Sequence, residues 1–286
     1  MNDDHRSYRE LTAAERDTFN FLMGLLSALD TPQSRIIFEA ASFVTDPAAR
    51  SILIFIAQQE VIHNQSYSYV LSSLVSREEQ NRIFDRARLD EDLHKRNESI
   101  YDDYNAFLDE PSVENLARML ISALALEGVH FYGAFAYFYN LARQNKMVGT
   151  STIVSYINKD ELVHTKFVVE LLHVIMNEYP ELAKMIEEYA HNMLKHAALG
   201  ELALMRNHVM KLPGLNWEEF TGYVQYRANK LMNMLGFREI FPGVSENNMP
   251  WIRAYVDNFD GVKTDFFEQK VRQYSKITED DGLGDI

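Results

Sequence analysis

The sequence predicts an all-α fold built on a four-helix bundle with additional helices. Three observations carry that expectation. Apolar residues recur at three- and four-residue spacing through most of the chain, and glycine and proline are scarce, at 12 and 7 in 286 residues. Two Glu-x-x-His motifs also fall at corresponding places in two helical hairpins.

Taken in order, the first helical stretch runs over 12–43, where Thr12 and Glu15 have the form of a capping box. Pro32 lies inside it and predicts a kink or a new start. Asp46-Pro47 separates it from a second stretch over 48–76. The third, 78–108, is charged nearly throughout and reads as a solvated connecting helix. Stretches over 112–143, 150–178, 180–210 and 216–235 follow, with Asn145 to Thr150 separating the first two of these. Periodicity fades after Pro242-Gly243. The segment 1–265 is expected to form the helical domain, and the acidic, glycine-containing end at 266–286 a flexible tail.

Composition removes several classes of function. The chain has no cysteine, so it carries no disulfide, thiolate zinc site, iron–sulfur cluster or cysteine nucleophile. With 42 acidic against 28 basic residues and a formal charge of -14, it is not expected to bind nucleic acid. The polar start MNDDHRSYRE is unlike a signal peptide, and no 18-residue stretch is uniformly apolar. A cytoplasmic protein with no membrane partner is expected.

Residues three apart on a helix share a face, so Glu-x-x-His can present one carboxylate and one imidazole to a single ion. Spacing alone selects poorly. With 24 Glu and 9 His in 286 residues, chance gives roughly 0.75 matches, yet the chain has six. These are Glu60/His63, Glu91/His94, Glu127/His130, Glu161/His164, Glu170/His173 and Glu188/His191.

Hairpin geometry selects among them, because residues equidistant from a turn lie level on antiparallel helices. Asp30 and Glu60 are equidistant from position 45, inside the break Thr45-Asp46-Pro47. Glu127 and Glu161 are equidistant from position 144, inside the break 143–150. Each hairpin then carries an acid on its first helix and Glu-x-x-His on its second, which is the ferritin-like pattern of carboxylate-bridged dinuclear sites. Four carboxylates converging in an apolar core demand compensation, which two divalent cations supply. Oxygen and imidazole donors suit iron or manganese. Glu91/His94 and Glu188/His191 are expected at the surface, Glu170/His173 as a structural pair, and His130 as a bystander to a complete ligand set. Tyr67 lies one turn, about 6 Å, beyond His63 on the same face. Phe131, Phe135 and Ile157 are placed to line a dry pocket around it, and the alternative is an ordinary core tyrosine.

At these residues the sequence resembles the radical-generating small (beta) subunit of class I ribonucleotide reductase, the class Ib branch in particular. The matching strings are LLSALDTPQ, EVIHNQSYSYVL, ALEGVHFYGAF and NKDELVH, supported by YVQYRANKLMNMLGF with FPG and by TDFFEQK. The resemblance covers nearly the whole chain, and its ordered motif set is more specific than any single Glu-x-x-His. It implies that Asp30, Glu60, His63, Glu127, Glu161 and His164 hold two iron or two manganese ions, and that Tyr67 is the radical site. Asp160 matches the acid that hydrogen-bonds a metal-bound histidine and starts the electron path outward. Tyr274 matches the tail tyrosine that relays the radical to the large (alpha) subunit.

The resemblance further implies a homodimer, docking to the large subunit through the C-terminal tail, and, with manganese, a flavodoxin-like activator. The absence of cysteine agrees with reduction of the ribonucleotide on a partner chain. Two departures stand out. The family's longer N-terminal segment carries a Phe-Trp pair, and Met1 aligns downstream of it, while Trp217 and Trp251 lie in the wrong regions to substitute. His130 is the other. The competing readings are a two-metal oxidase acting on a bound lipid-like ligand, a metal-storage protein and a radical-incompetent subunit.

Overall fold

A computed structural model describes residues 2–209, 212–244, 246–252 and 255. Tyr274 and the expected 265/266 boundary and tail lie outside the described residues. Those residues contain helices and connecting turns, and no strand. Ten α-helices are numbered in chain order: α1 Asn2–Glu10, α2 Ala13–Phe43, α3 Pro47–Leu74, α4 Arg77–Leu89, α5 Glu91–Asp109, α6 Val113–Ala125, α7 Phe131–Arg143, α8 Val148–Glu178, α9 Ala183–Val209 and α10 Trp217–Met234.

The core is the expected pair of hairpins. Helix α2 packs along α3 on one side, and the continuous run α6–α7 packs along α8 on the other. Their ends are set by short polar residues. The Thr12 hydroxyl accepts from the Glu15 amide while the Glu15 carboxylate accepts from the Thr12 amide, closing the capping box of α2. Asp46 caps α3, with Pro47 at its first position, where a missing N–H costs nothing. Helix α2 continues through Pro32 without a new start, although proline has no N–H to offer the carbonyl of Ala28.

One expectation is corrected here. The stretch 78–108 is not one solvated helix: it breaks at Asp90, whose side chain caps α5. Helix α5 buries Leu93, Arg96, Asn97, Ile100, Asp103, Tyr104 and Phe107, a full helical stripe turned inward. The stripe escapes a reading by hydrophobicity because charged and amide residues alternate with its apolar members. The polar start also folds into α1, where the Asp4 carboxylate accepts from the Gly149 amide, the Thr150 amide and the Thr150 hydroxyl at 3.0, 2.6 and 2.7 Å. Residues on α1 thereby satisfy the orphan donors at the start of α8.

Between α6 and α7 the chain forms one π turn, Leu126–His130, in which the Phe131 amide donates to the Leu126 carbonyl. The whole segment Val113–Arg143 is long and apolar enough by length and composition to cross a membrane, but its apolar window is entirely buried within the protein. It is the central helix of the core.

Candidate metal centre

The bundle brings together all six side chains singled out as ligands, and all six are buried: Asp30 on α2, Glu60 and His63 on α3, Glu127 in the π turn, and Glu161 and His164 on α8. Their donor atoms form two groups, each spanning no more than 4.8 Å. One is Asp30, Glu60 and His63; the other is Glu60, Glu127, Glu161 and His164. Glu60 belongs to both, so one carboxylate can bridge two ions. The His63 Nδ1 lies 3.1 Å from Glu161 Oε1, and the His164 Nδ1 lies 3.0 Å from Glu60 Oε1 and 3.2 Å from Glu161 Oε2.

The remaining ring nitrogens face the other way. The Nε2 of His63 is 3.1 Å from Asp160, and the Nε2 of His164 is 3.0 Å from the Gln59 carbonyl oxygen. A neutral imidazole that donates from Nε2 keeps a lone pair at Nδ1, so both rings, once they give up a proton, can offer a ligand atom to the space walled by the carboxylates. Both oxygens of Asp30, both of Glu60, one of Glu127 and one of Glu161 are buried without a hydrogen-bond partner. Such a set fits cations: carboxylate oxygens converge in excess of what the two histidines can satisfy.

Charge shifts say the same. Burial pushes the Asp30 carboxyl well above its usual range, with Glu60, Glu161 and Glu127 adding to the effect. Burial also pushes Glu127 well up, reinforced by Glu60 and Glu161. Burial alone lowers a histidine, yet hydrogen bonds donated to Asp160, Glu161 and Glu60 drive His63 upward, and those to Glu161 and Glu60 do so for His164. Burial raises Glu60 too, but His164 and His63 outweigh it and hold Glu60 below its ordinary value. Without cations the cluster therefore stores protons, which ions would displace.

Tyr67 is fully buried, and its hydroxyl has no hydrogen-bond partner. Burial raises its pKa strongly, and among the charges acting on it Asp30 comes first, then Glu161 and Glu60. Phe131, Phe135 and Ile157 are buried as well. His130 belongs to neither donor group: it is buried on the side toward α9, where burial and then the Arg96 charge push its pKa well down. Asp160, 39% exposed, connects the buried His63 to the surface. Glu91 and His94 are exposed, Glu188 is exposed with His191 half-buried, and Glu170 with His173 forms a partly exposed pair at 4.0 Å.

Two residues near the centre escaped the sequence reading. Gln33 is fully buried, donates its amide to Glu127 and accepts from the Tyr104 hydroxyl. Gln33 lies three residues after Asp30, a spacing that already places it on the ligand face. Tyr104 carries no such signal except its place in the α5 stripe.

The sequence profile described as "Ribonucleotide reductase, small chain" matches residues 1–248. The chain belongs to that family. A ribonucleoside-diphosphate reductase subunit beta of Halalkalibacterium halodurans is 40% identical over all of this chain and 83% of its own length. The subunit of the same name from Treponema pallidum is 33% identical, covering 96% of this chain and 80% of its own. Among solved structures, a putative class I ribonucleotide reductase from Bacillus halodurans superposes with a TM-score of 0.87 at 38% identity, covering 89% of this chain and 92% of that one. The dimanganese(II) NrdF of Streptococcus sanguinis shares the fold, with a TM-score of 0.73 at 23% identity. The ribonucleotide reductase small chain is thus the enzyme class of this protein, and its ferritin-like bundle holds a carboxylate and histidine cluster suited to two iron or two manganese ions.

Proposed function

We propose that this small chain generates its radical on Tyr67 and passes it to a large reductase subunit. The observation that carries the reading is a phenol buried beside the Asp30 group, with its hydroxyl unpartnered. Asp30, Glu60 and His63 would hold one ion, and Glu127, Glu161 and His164 the other, with Glu60 shared. Bound there, an oxidised iron or manganese pair supplies a one-electron oxidant. Tyr67 would lose one electron to that pair and its hydroxyl proton toward the donor groups, where Asp30 is the carboxylate whose field bears most on the phenol. Tight aromatic and aliphatic burial keeps water and reductants from the neutral radical.

The outward path begins at the hydrogen bond from His63 to half-exposed Asp160. Tyr274 and the acidic tail would carry it to the large subunit, whose thiols must reduce the ribonucleotide because this chain has none. A homodimer is part of the reading. Phe55, Ile62 and Tyr69 form an exposed stripe at seven-residue spacing on α3, and Tyr156 and Val163 are exposed on neighbouring α8. With manganese, a flavodoxin-like activator would supply the oxidant, and the cytoplasm is where these partners and substrates meet.

Low-temperature EPR with metal quantification tests the assignment, with iron and manganese loaded separately. A tyrosyl signal at two ions per chain that vanishes in Tyr67→Phe, with both ions retained, is the expected result. A radical that survives Tyr67→Phe, or two ions that yield no radical with either metal, would overturn it.

A further inference from the structure

We propose that Tyr104, acting through Gln33, is a positioning residue that presets Glu127 as a one-oxygen ligand in the second donor group. This rests on the reading that the group holds an ion. The Gln33 amide is the middle of a buried chain that crosses three elements, from Tyr104 on α5 through α2 to Glu127 in the π turn. The Gln33 NH2 donates to Glu127 Oε1, which leaves its carbonyl turned away from Glu127. The Tyr104 hydroxyl stands on that carbonyl side and donates to it. Among the described residues the Tyr104 hydroxyl is the hydrogen-bond donor to that carbonyl, so removing it frees the amide to turn.

The consequence falls on the two oxygens of Glu127. Its Oε1 is taken by Gln33, whereas Oε2 is buried, lacks a hydrogen-bond partner and lies 3.9 Å from His164 Nδ1, on the ion side. The tether therefore reserves one oxygen for the ion. In the first donor group the carboxylate of Asp30 has no such tether: both of its oxygens lack hydrogen-bond partners.

The test is titration of the metal-free full chain with manganese(II), comparing Tyr104→Phe and Gln33→Leu with the parent. Outer-shell partners of this kind are worth roughly 10–100-fold in metal affinity. The second ion should weaken by that factor in both variants while the first binds as before. EPR at two equivalents should then show the six-line signal of isolated manganese(II) in place of a coupled pair. Anomalous scattering should show the ion lost from the Glu127, Glu161 and His164 group and kept at Asp30 and His63.

Equal loss of both ions, in proportion to a fall in metal-free Tm, would mean a merely structural role and overturn the proposal. Unchanged second-ion affinity in both variants would also overturn it and leave the metal reading intact. A parent protein that binds fewer than two ions would take down the metal reading and this proposal together.

Discussion

Two clusters of ionisable side chains are buried in this one helical core, and they solve the same electrostatic problem differently. In the first, Asp30, Glu60, Glu127 and Glu161 meet two histidines and no lysine or arginine. In the second, Arg96 on α5 pairs with Glu201 on α9, and Arg96 also donates to the Asn97 side chain at 3.1 Å. Gly133 on α7 makes room for that pair, since a Cβ there would collide with the Glu201 carboxylate. The second cluster cancels its charge internally. The first can do so only by holding protons or by binding cations. Burial of charged groups does not by itself mark a metal site; an uncancelled surplus of acceptors does.

Charge-removing substitutions should therefore act oppositely in the two places. Glu60→Gln keeps the volume but deprives both donor groups of their shared carboxylate. Both ions should weaken by more than the roughly 10–100-fold that an outer-shell loss costs. Metal-free stability should change little, because Glu60 pushes Asp30 and Glu127 upward but is itself held below its ordinary value by His164 and His63. Metal quantification and urea unfolding of the metal-free protein read the two effects separately. A metal-free protein markedly destabilised by Glu60→Gln would break the contrast.

In the second cluster the cost should fall on folding. Glu201→Leu strands a fully buried guanidinium, a loss of about 3–5 kcal/mol. The double change Arg96→Met with Glu201→Leu should recover most of it, since replacing both partners of a buried pair by apolar groups is often neutral or stabilising. Neither change should alter the stoichiometry of two ions per chain. If the double variant stays as unstable as the single one, the pair is not self-contained. Burial holds the Glu201 carboxyl up at about 7 against the pull of Arg96, so the cost of the ion pair is already visible in the parent.

Proton release separates the clusters by a smaller and graded effect. In the first, Asp30, His63, Glu127 and His164 are all shifted toward their protonated forms. Loading two divalent ions should then expel up to four protons, one from each of these four groups. The sign follows: groups with raised pKa are shifted toward holding protons that the ions must displace, so affinity rises with pH and falls on acidification. The slope should be about tenfold per pH unit for each proton released. Calorimetry in buffers of different ionisation enthalpy counts them. Release of none would mean that the metal-free cluster carries its charge in some other form.

Much of this contrast was legible in the sequence, and the part that was not has a physical cause. The four acids and two histidines declare themselves through two independent constraints, i,i+3 spacing and equidistance from a turn, and the structure gathers those six. His130 has the same spacing from Glu127 but faces α9, and only the completeness of the six-ligand set marked it as a bystander. The Arg96–Glu201 pair joins residues 105 apart on helices that are not consecutive, and no local pattern encodes such a contact. Helix α5 was misjudged for a related reason. Its buried face carries Arg96, Asn97, Asp103 and Tyr104, so a scan for apolar periodicity sees only a solvated connector. The π turn was equally hidden, since a one-residue widening of a helix leaves no mark on an apolar run.

Asp4 supplies the last and smallest test, because it is a buried carboxylate that needs neither a cation nor an arginine. Three donors at the start of α8 surround it, two of them backbone amides that would otherwise be orphaned. The positive end of the helix dipole adds to their effect. Replacing this long-range cap should cost what a local one does, so Asp4→Ala should lose about 1–2 kcal/mol in chemical unfolding. Asp4→Asn should lose less, since an amide oxygen still accepts. Both variants should bind two ions as tightly as the parent, because the cap sits more than two helical turns before Glu161 along α8. A weakened second ion in Asp4→Ala would mean that fraying at the start of α8 reaches the ligands, and that the two hairpins hold the centre less rigidly than their buried contacts imply.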